Sequence, residues 1–275
     1  MSRVIRIFRR AGLRFSAEGA SFMAAALAFN VLFATIPLLL VAVSIIAYVY
    51  GTDEGIQRAN SAISLYAPEF ESLVANNLDA AVRYRGVSGA IGLVTLAWSG
   101  KNVFQALAYA LNRSLGVKRD RALLLDILIA LVLVPVVGVV IVVATALPVV
   151  ITLIVQFAGL ESLRWAPQIA SYLGSLALIF IVIALLYAYL PNHRAPRSAV
   201  IAGAAVASIG YSITQIAFAV YTTFAANAFR IYGALSALFA FLLWLEIIGA
   251  IFLFGAYVTA AWERENQDAA LPLAS

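Results

Sequence analysis

The chain has 275 residues, 64% of them hydrophobic and 11% charged, with a mean hydropathy of +0.99 and a formal net charge of +5. A soluble domain carries about 25% charged and about 45–50% apolar residues, so this composition excludes an ordinary water-facing surface and indicates a membrane protein. The absence of cysteine and the single histidine, His193, exclude disulfides, thiolate catalysis and a cysteine- or histidine-rich metal site.

The first twenty residues form a basic leader. In RVIRIFRRAGLRF, Val4, Phe8, Ala11 and Phe15 recur at helical spacing with arginines around the remaining circumference. That pattern predicts an amphipathic helix over 1–20 lying in the membrane interface against anionic lipid. A nucleic-acid-binding arm is the sharper alternative, and no nucleic-acid partner is expected.

Charged residues then fence off long apolar runs. None lies between Glu18 and Asp53, between Asp126 and Glu161, between Arg164 and Arg194, or between Arg197 and Arg230. Each interval exceeds the roughly 20 residues a helix needs to cross hydrocarbon. Residues 86–112 are interrupted by Lys101 alone and residues 231–262 by Glu246 alone. Six transmembrane helices are predicted, at 24–50, 88–112, 122–156, 169–190, 199–225 and 233–261. The first is too long for the hydrophobic region of a cleavable signal peptide, and the runs lack the alternation of barrel strands. The segment 53–85 places Phe70, Leu73, Val74, Leu78, Ala81 and Val82 on one helical face, with Pro68 separating two pieces. It reads as an external helical hairpin. The expected fold is an all-α, polytopic membrane protein, a single domain over 1–275.

With the N-terminus inside, twelve lysines and arginines fall on the inner side and five on the outer. The positive-inside bias then places both termini in the cytoplasm.

Two charges fall within spans. Glu246 lies about 20 Å from the outer end of its helix and Lys101 about 21 Å from the outer end of its own, at 1.5 Å per residue. A bare carboxylate at mid-bilayer costs at least ~2.5 kcal/mol, so such groups face the bundle interior and find partners. Lys101 and Glu246 are expected to pair. The pair would either fix helix register or line a polar pathway. If they do not meet, Lys101 could reach Asp126 or snorkel along its own stem.

In IAGAAVASIGYSITQ, Gly203, Ala207, Gly210 and Thr214 form a small-residue stripe. Close helix packing is the favoured reading, and a groove for a lipid chain the alternative. Pro37, Pro135 and Pro148 lie within spans and are expected to kink them. Trp98 and Trp244 are expected in the core.

Three stretches together resemble the YihY/virulence factor BrkB family: AAALAFNVLFATIPLLL at 24–40, LAWSGKNVFQALAYALNRSLGV at 96–117, and LYAYLPNHR with YGALSALFAFLLWLEIIGAIFLFGAY at 186–194 and 232–257. The resemblance covers nearly the whole chain in matching order. It implies a six-helix bacterial inner-membrane protein, of a kind suspected of moving lipids or other envelope components. Some members once carried the label ribonuclease BN. A nuclease would need clustered metal-binding carboxylates or histidines, and here the acids are scattered and His193 sits beside arginines. The family pattern usually has an aromatic after the Trp-Leu pair of the last span and an acid eleven residues later. This sequence has Glu246 and Tyr257 at those places, three helical turns apart on one face.

The expected function is a non-enzymatic transporter or exporter of a lipid or amphiphile, with no cofactor. A scaffold for envelope assembly is the alternative. Membrane lipids, a second copy of the chain or an envelope protein are the expected partners. No Walker-type run is present.

Overall fold

The computed structural model describes residues 2–51, 85–117, 150–155, 166–229 and 234–270, with a few isolated positions between them. Six long helices occur among these residues: α1 (Arg3–Ala17), α2 (Ala20–Tyr50), α3 (Arg85–Leu115), α4 (Ala166–Tyr189), α5 (Arg197–Phe229) and α6 (Ala234–Ala270). Residues 150–155 are also helical, and no strand occurs among the described residues. The predicted hairpin is almost wholly outside them, as are most of the third predicted span, Asp126, Pro135 and Pro148.

Among the described residues four helices combine the length and sustained apolarity needed to cross a membrane, within Ala20–Tyr50, Tyr172–Tyr189, Arg197–Phe218 and Leu238–Ala269. The predicted span 88–112 is helical throughout as part of α3 but is not one of these four. Lys101, Asn102 and Gln105 interrupt its apolar run. Helix α6 runs on past the predicted end at 261, because its polar tail WERENQDAA contains strong helix formers and no proline or glycine.

The spans are apolar outside as well as inside. In the Tyr172–Tyr189 window 11% of positions are buried within the protein, while Phe22, Phe29, Phe33, Tyr172 and Ile216 are all exposed. Monomeric soluble proteins do not carry apolar surface on this scale. In hydrocarbon it costs nothing, and the helices satisfy their own backbone groups.

The chain falls into two compact units. The first comprises Met1–Ser21, Leu107–Gln215 and Ala250–Ser275, the second Phe22–Ala106 and Ile216–Gly249. In the first, the fully buried Tyr187, Leu253, Tyr257, Val258, Leu111, Leu190 and Ile7 form the core.

Contact between α5 and α6 explains the small-residue stripe. A Cβ built on Gly203 would lie 1.9 Å from Thr259 Oγ1 and 2.5 Å from the Gly255 carbonyl, and one on Gly255 would lie 2.7 Å from Ala207 Cβ. One on Gly210 would lie 2.8 Å from Ile251. Thr214 is half-buried. With no hydrophobic drive between helices in lipid, such close approach supplies the dispersion that holds them. Tyr187 of α4 completes the contact by donating its hydroxyl hydrogen bond to the Phe252 carbonyl.

In the second unit α3 meets α2 in the same way. A Cβ on Gly92 would lie 3.0 Å from Val41 and 3.4 Å from the Pro37 carbonyl, and one on Gly89 would lie 3.2 Å from Ser44. Helix α2 runs without a break through Pro37, although proline leaves the Phe33 carbonyl without its usual donor. Trp244 is half-buried, stacked on Phe241 and tilted against Phe218. Trp98 departs from expectation: it is 61% exposed.

Candidate functional site

Among the described residues the densest polar arrangement is in the first unit, where α1, the end of α3, the loop after α4 and the tail of α6 meet. Helix α1 buries Ile7 and Ala11. Its Phe8 and Phe15 pack on Phe254, with ring centroids 6.1 and 6.0 Å apart, and Phe15 meets Tyr257 edge-on at 5.8 Å. These contacts turn the arginine side of α1 toward the polar tail of α6.

There, both oxygens of the buried Glu265 are taken up. Arg6 binds Oε1 through Nε at 2.8 Å, and Arg10 Nη1 binds Oε2 at 2.9 Å and Asp268 at 2.9 Å. Glu265 is only 7% exposed, and a buried carboxylate is tolerated when its lone pairs are filled by charged donors. Arg3 donates to Asn266, and its guanidinium lies 5.2 Å from the centre of the Trp262 ring. Four of the five arginines of α1 thus make protein contacts, since Arg14 also has a partner, described next. Arg9 is exposed.

Arg14 grips Glu18 one turn on, through Nε at 2.9 Å and Nη2 at 2.7 Å to Oε1. Tyr257 donates its hydroxyl hydrogen bond to the other oxygen, Oε2, at 3.0 Å, and the Arg14 guanidinium stands 5.5 Å from the centre of the same ring. Glu18 holds this place because α1 stops at Ala17 and Gly19, at φ 67°, turns the chain into α2. A side chain at position 19 would be strained there.

Helix α3 ends at Gly116, φ 75°, with Gly116 N–H bonded to the Arg113 carbonyl at 3.0 Å and Val117 N–H to the Asn112 carbonyl at 2.8 Å. This closure resembles a Schellman cap. A Cβ on Gly116 would lie 3.4 Å from an Arg264 nitrogen and 4.0 Å from one of Arg14, so two guanidiniums gather at the negative end of the α3 dipole. The Asn112 side-chain oxygen accepts the Asn192 backbone N–H at 2.7 Å. Next to Asn192, His193 Nε2 lies 2.9 and 3.0 Å from the two oxygens of Glu263. The loop that carries the chain's one histidine is therefore tied to both α3 and α6.

Beside this polar end lies an apolar cavity of about 250 Å³. Val4, Ile7 and Phe8 of α1, Ala202 and Val206 of α5, and Val258 and Trp262 of α6 line it.

The expected charge pair is not formed. Among the described residues no ion pair joins Lys101 to Glu246, which both belong to the second unit. Lys101 is exposed and Glu246 half-buried. The reason is helical phase. Gly92 faces α2 and Ser99 is buried at 4%, and Lys101, two residues after Ser99, points about 160° away from it. Tyr257, expected to share an inward face with Glu246, is buried at 1%.

The residues that sequence reasoning missed are Glu18, Glu263 and Glu265. The i, i+4 spacing of Arg14 and Glu18 was the available signal for the first. For Glu265 it was the acidic tail of a helix whose end is expected on the same side as the arginine-rich leader.

The family described as virulence factor BrkB matches residues 11–274. A protein described as ribonuclease-like, YfkH of Bacillus subtilis (strain 168), is 28% identical over 258 residues, covering 91% of this chain and 92% of its own length. A UPF0761 membrane protein of Coxiella burnetii (strain RSA 331 / Henzerling II) is 29% identical over 275 residues, with 93% and 95% covered. Another, of Laribacter hongkongensis (strain HLHK9), is 27% identical over 262 residues, and there the match takes in 90% of this chain but 60% of the relative. No solved structure matches the chain. With its apolar helices and a match over nearly its full length, this integral membrane protein belongs to the virulence factor BrkB family.

Proposed function

We propose that the protein is a non-enzymatic transporter or exporter of a lipid or other amphiphile in a bacterial inner membrane, with both termini cytoplasmic. The observation that carries this reading is the state of Lys101 and Glu246. Glu246 stands inside a helix long and apolar enough to cross a membrane and Lys101 inside α3, and among the described residues no ion pair between them neutralises either charge. Charges at that depth persist where water or a polar headgroup reaches them, and they mark a substrate or ion pathway by default. An apolar exterior with a polar track is what an amphiphile needs to cross.

The test is a bleaching assay in vesicles containing the purified protein and fluorescent lipid. The protein should speed exchange of labelled lipid between leaflets, and Lys101→Met and Glu246→Gln should each slow it. Exchange no faster than in empty vesicles sinks the proposal. A protein that is inert in this assay but retains an envelope protein through detergent purification would instead be a scaffold.

A further inference from the structure

We infer that the cavity between α1, α5 and α6 is a binding site for one hydrocarbon chain of an anionic phospholipid, whose headgroup sits against Arg3 beside its lining. The inference does not depend on transport, since a lipid can reside here in a protein that moves nothing.

Apart from the indole N–H of Trp262 the lining side chains are all hydrocarbon, so the cavity offers a polar ligand little hydrogen bonding. Its volume of about 250 Å³ falls below the roughly 300–1,000 Å³ of sites that enclose a small molecule. It therefore suits part of a chain whose remainder stays in the bilayer. The base is closed by Ile7 and Val258, each 1% exposed, and the mouth is marked by Val4 and Phe8, at 54% and 41%. The exposed Ile5 continues the apolar strip of α1 beyond the mouth. In an amphipathic helix at the interface such a strip lies among acyl chains.

Charge selects the headgroup. Helix α1 holds five arginines and no acid, and the carboxylates that answer them are Glu265 and Asp268 for Arg6 and Arg10, and Glu18 for Arg14. Arg3 meets the neutral Asn266 and lies over Trp262, itself part of the lining. No carboxylate pairs with Arg3 among the described residues. An uncompensated cation beside an apolar slot fits a phosphate diester carrying net negative charge better than a zwitterion.

Trp262 provides the readout. In full-length protein carrying Trp98→Phe, Trp165→Phe and Trp244→Phe, lipids brominated on their acyl chains are titrated in mixed micelles while Trp262 fluorescence is followed. Brominated phosphatidylglycerol should quench at a lower mole fraction than brominated phosphatidylcholine. At ~1 kcal/mol per basic residue near a charged surface the difference is about fivefold for each arginine engaged. Arg3→Gln should erase the preference. Ala202→Phe, which fills the cavity, should raise the fraction needed for either lipid, and Val4→Gln, at an exposed mouth position, does the same without burdening the fold. Equal quenching by the two lipids overturns the selection by charge. Unchanged quenching in both Ala202→Phe and Val4→Gln overturns the cavity as the site. The leaflet-exchange assay is scored separately, so a vesicle assay without exchange leaves this measurement standing.

Discussion

The substitution Gly203→Ala isolates what holds α5 to α6. The added methyl would lie 1.9 Å from Thr259 Oγ1 and 2.5 Å from the Gly255 carbonyl, against an ordinary separation of about 3.5–4.0 Å. Thr259 can rotate its side chain only by giving up its hydrogen bond to the same Gly255 carbonyl, at 3.1 Å. The backbone oxygen cannot rotate at all, so the helices must part by roughly 1 Å. A gap of about 0.5–1 Å already forfeits a quarter to a half of each dispersion contact along a seam. Overpacking of this kind costs about 1–3 kcal/mol, and the Gly203 seam belongs at or above the top of that range because a backbone atom blocks relief. Thr259→Ala added to Gly203→Ala should recover part of the loss, since it removes the nearer obstacle and leaves the farther. Gly100→Ala is the control: nothing lies within 4 Å of its Cβ. In mid-helix that change should be neutral or stabilise by about 0.5–1 kcal/mol. Reversible unfolding of the three variants in mixed micelles measures these differences. A Gly203→Ala protein within about 0.5 kcal/mol of the parent refutes backbone contact between α5 and α6 as the source of their association.

Glu265→Gln should free Arg6 and Arg10, at a cost of about 1–2 kcal/mol because both guanidiniums are nearly half exposed and solvent screens them. The signature is faster tryptic cleavage after those arginines, and unchanged cleavage counts against the clamp. Lys101→Met and Glu246→Gln should act additively on stability, within about 0.5 kcal/mol, since the two groups do not touch; a larger coupling in a double-mutant cycle would show that they meet in the bilayer. Tyr257→Glu should be strongly destabilising, because it sets a second carboxylate against Glu18, and Glu18→Gln in the same chain should restore part of the loss in thermal melting. Purified protein with added magnesium or manganese should leave RNA intact over hours on a gel, and metal-dependent cleavage would overturn the non-enzymatic reading.

The helices were legible because their signal is an integral over many residues. Runs free of charge between fence posts such as Glu18 and Asp53 are long enough that no local preference reverses them, and α2, α4 and α5 begin and end within a few residues of expectation. The stripe of Gly203, Ala207 and Gly210 was legible for a related reason: close approach is required at every third or fourth position, so the requirement leaves a period in the sequence. The long-range polar contacts leave no period. Glu265 and Arg10 stand 255 residues apart, and nothing in either neighbourhood names the other. Matching depth was a poor guide to the Lys101–Glu246 pair because depth fixes one coordinate of a side chain and leaves its direction around the helix open. The phase of Ser99 and Gly92 settles that direction for Lys101, and those residues became informative only once the burial of Ser99 and the packing of Gly92 on α2 were visible.

The fate of the carboxylate in the last helix follows from the same distinction between depth and direction. The resemblance implies an acid at the position held here by Tyr257, and Glu246, three turns earlier, looks like that acid moved along one face. The contacts of Tyr257 point to a different source. Its hydroxyl meets Glu18 Oε2, and Arg14 holds the other oxygen of that carboxylate while covering the tyrosine ring. A negative charge therefore does stand beside position 257, supplied by the residue that caps α1, and the tyrosine is the donor that a second carboxylate could not be. Glu246 replaces nothing there. It is an additional charge within an apolar span, and its cost at that depth has to be met by whatever polar matter reaches it in the membrane.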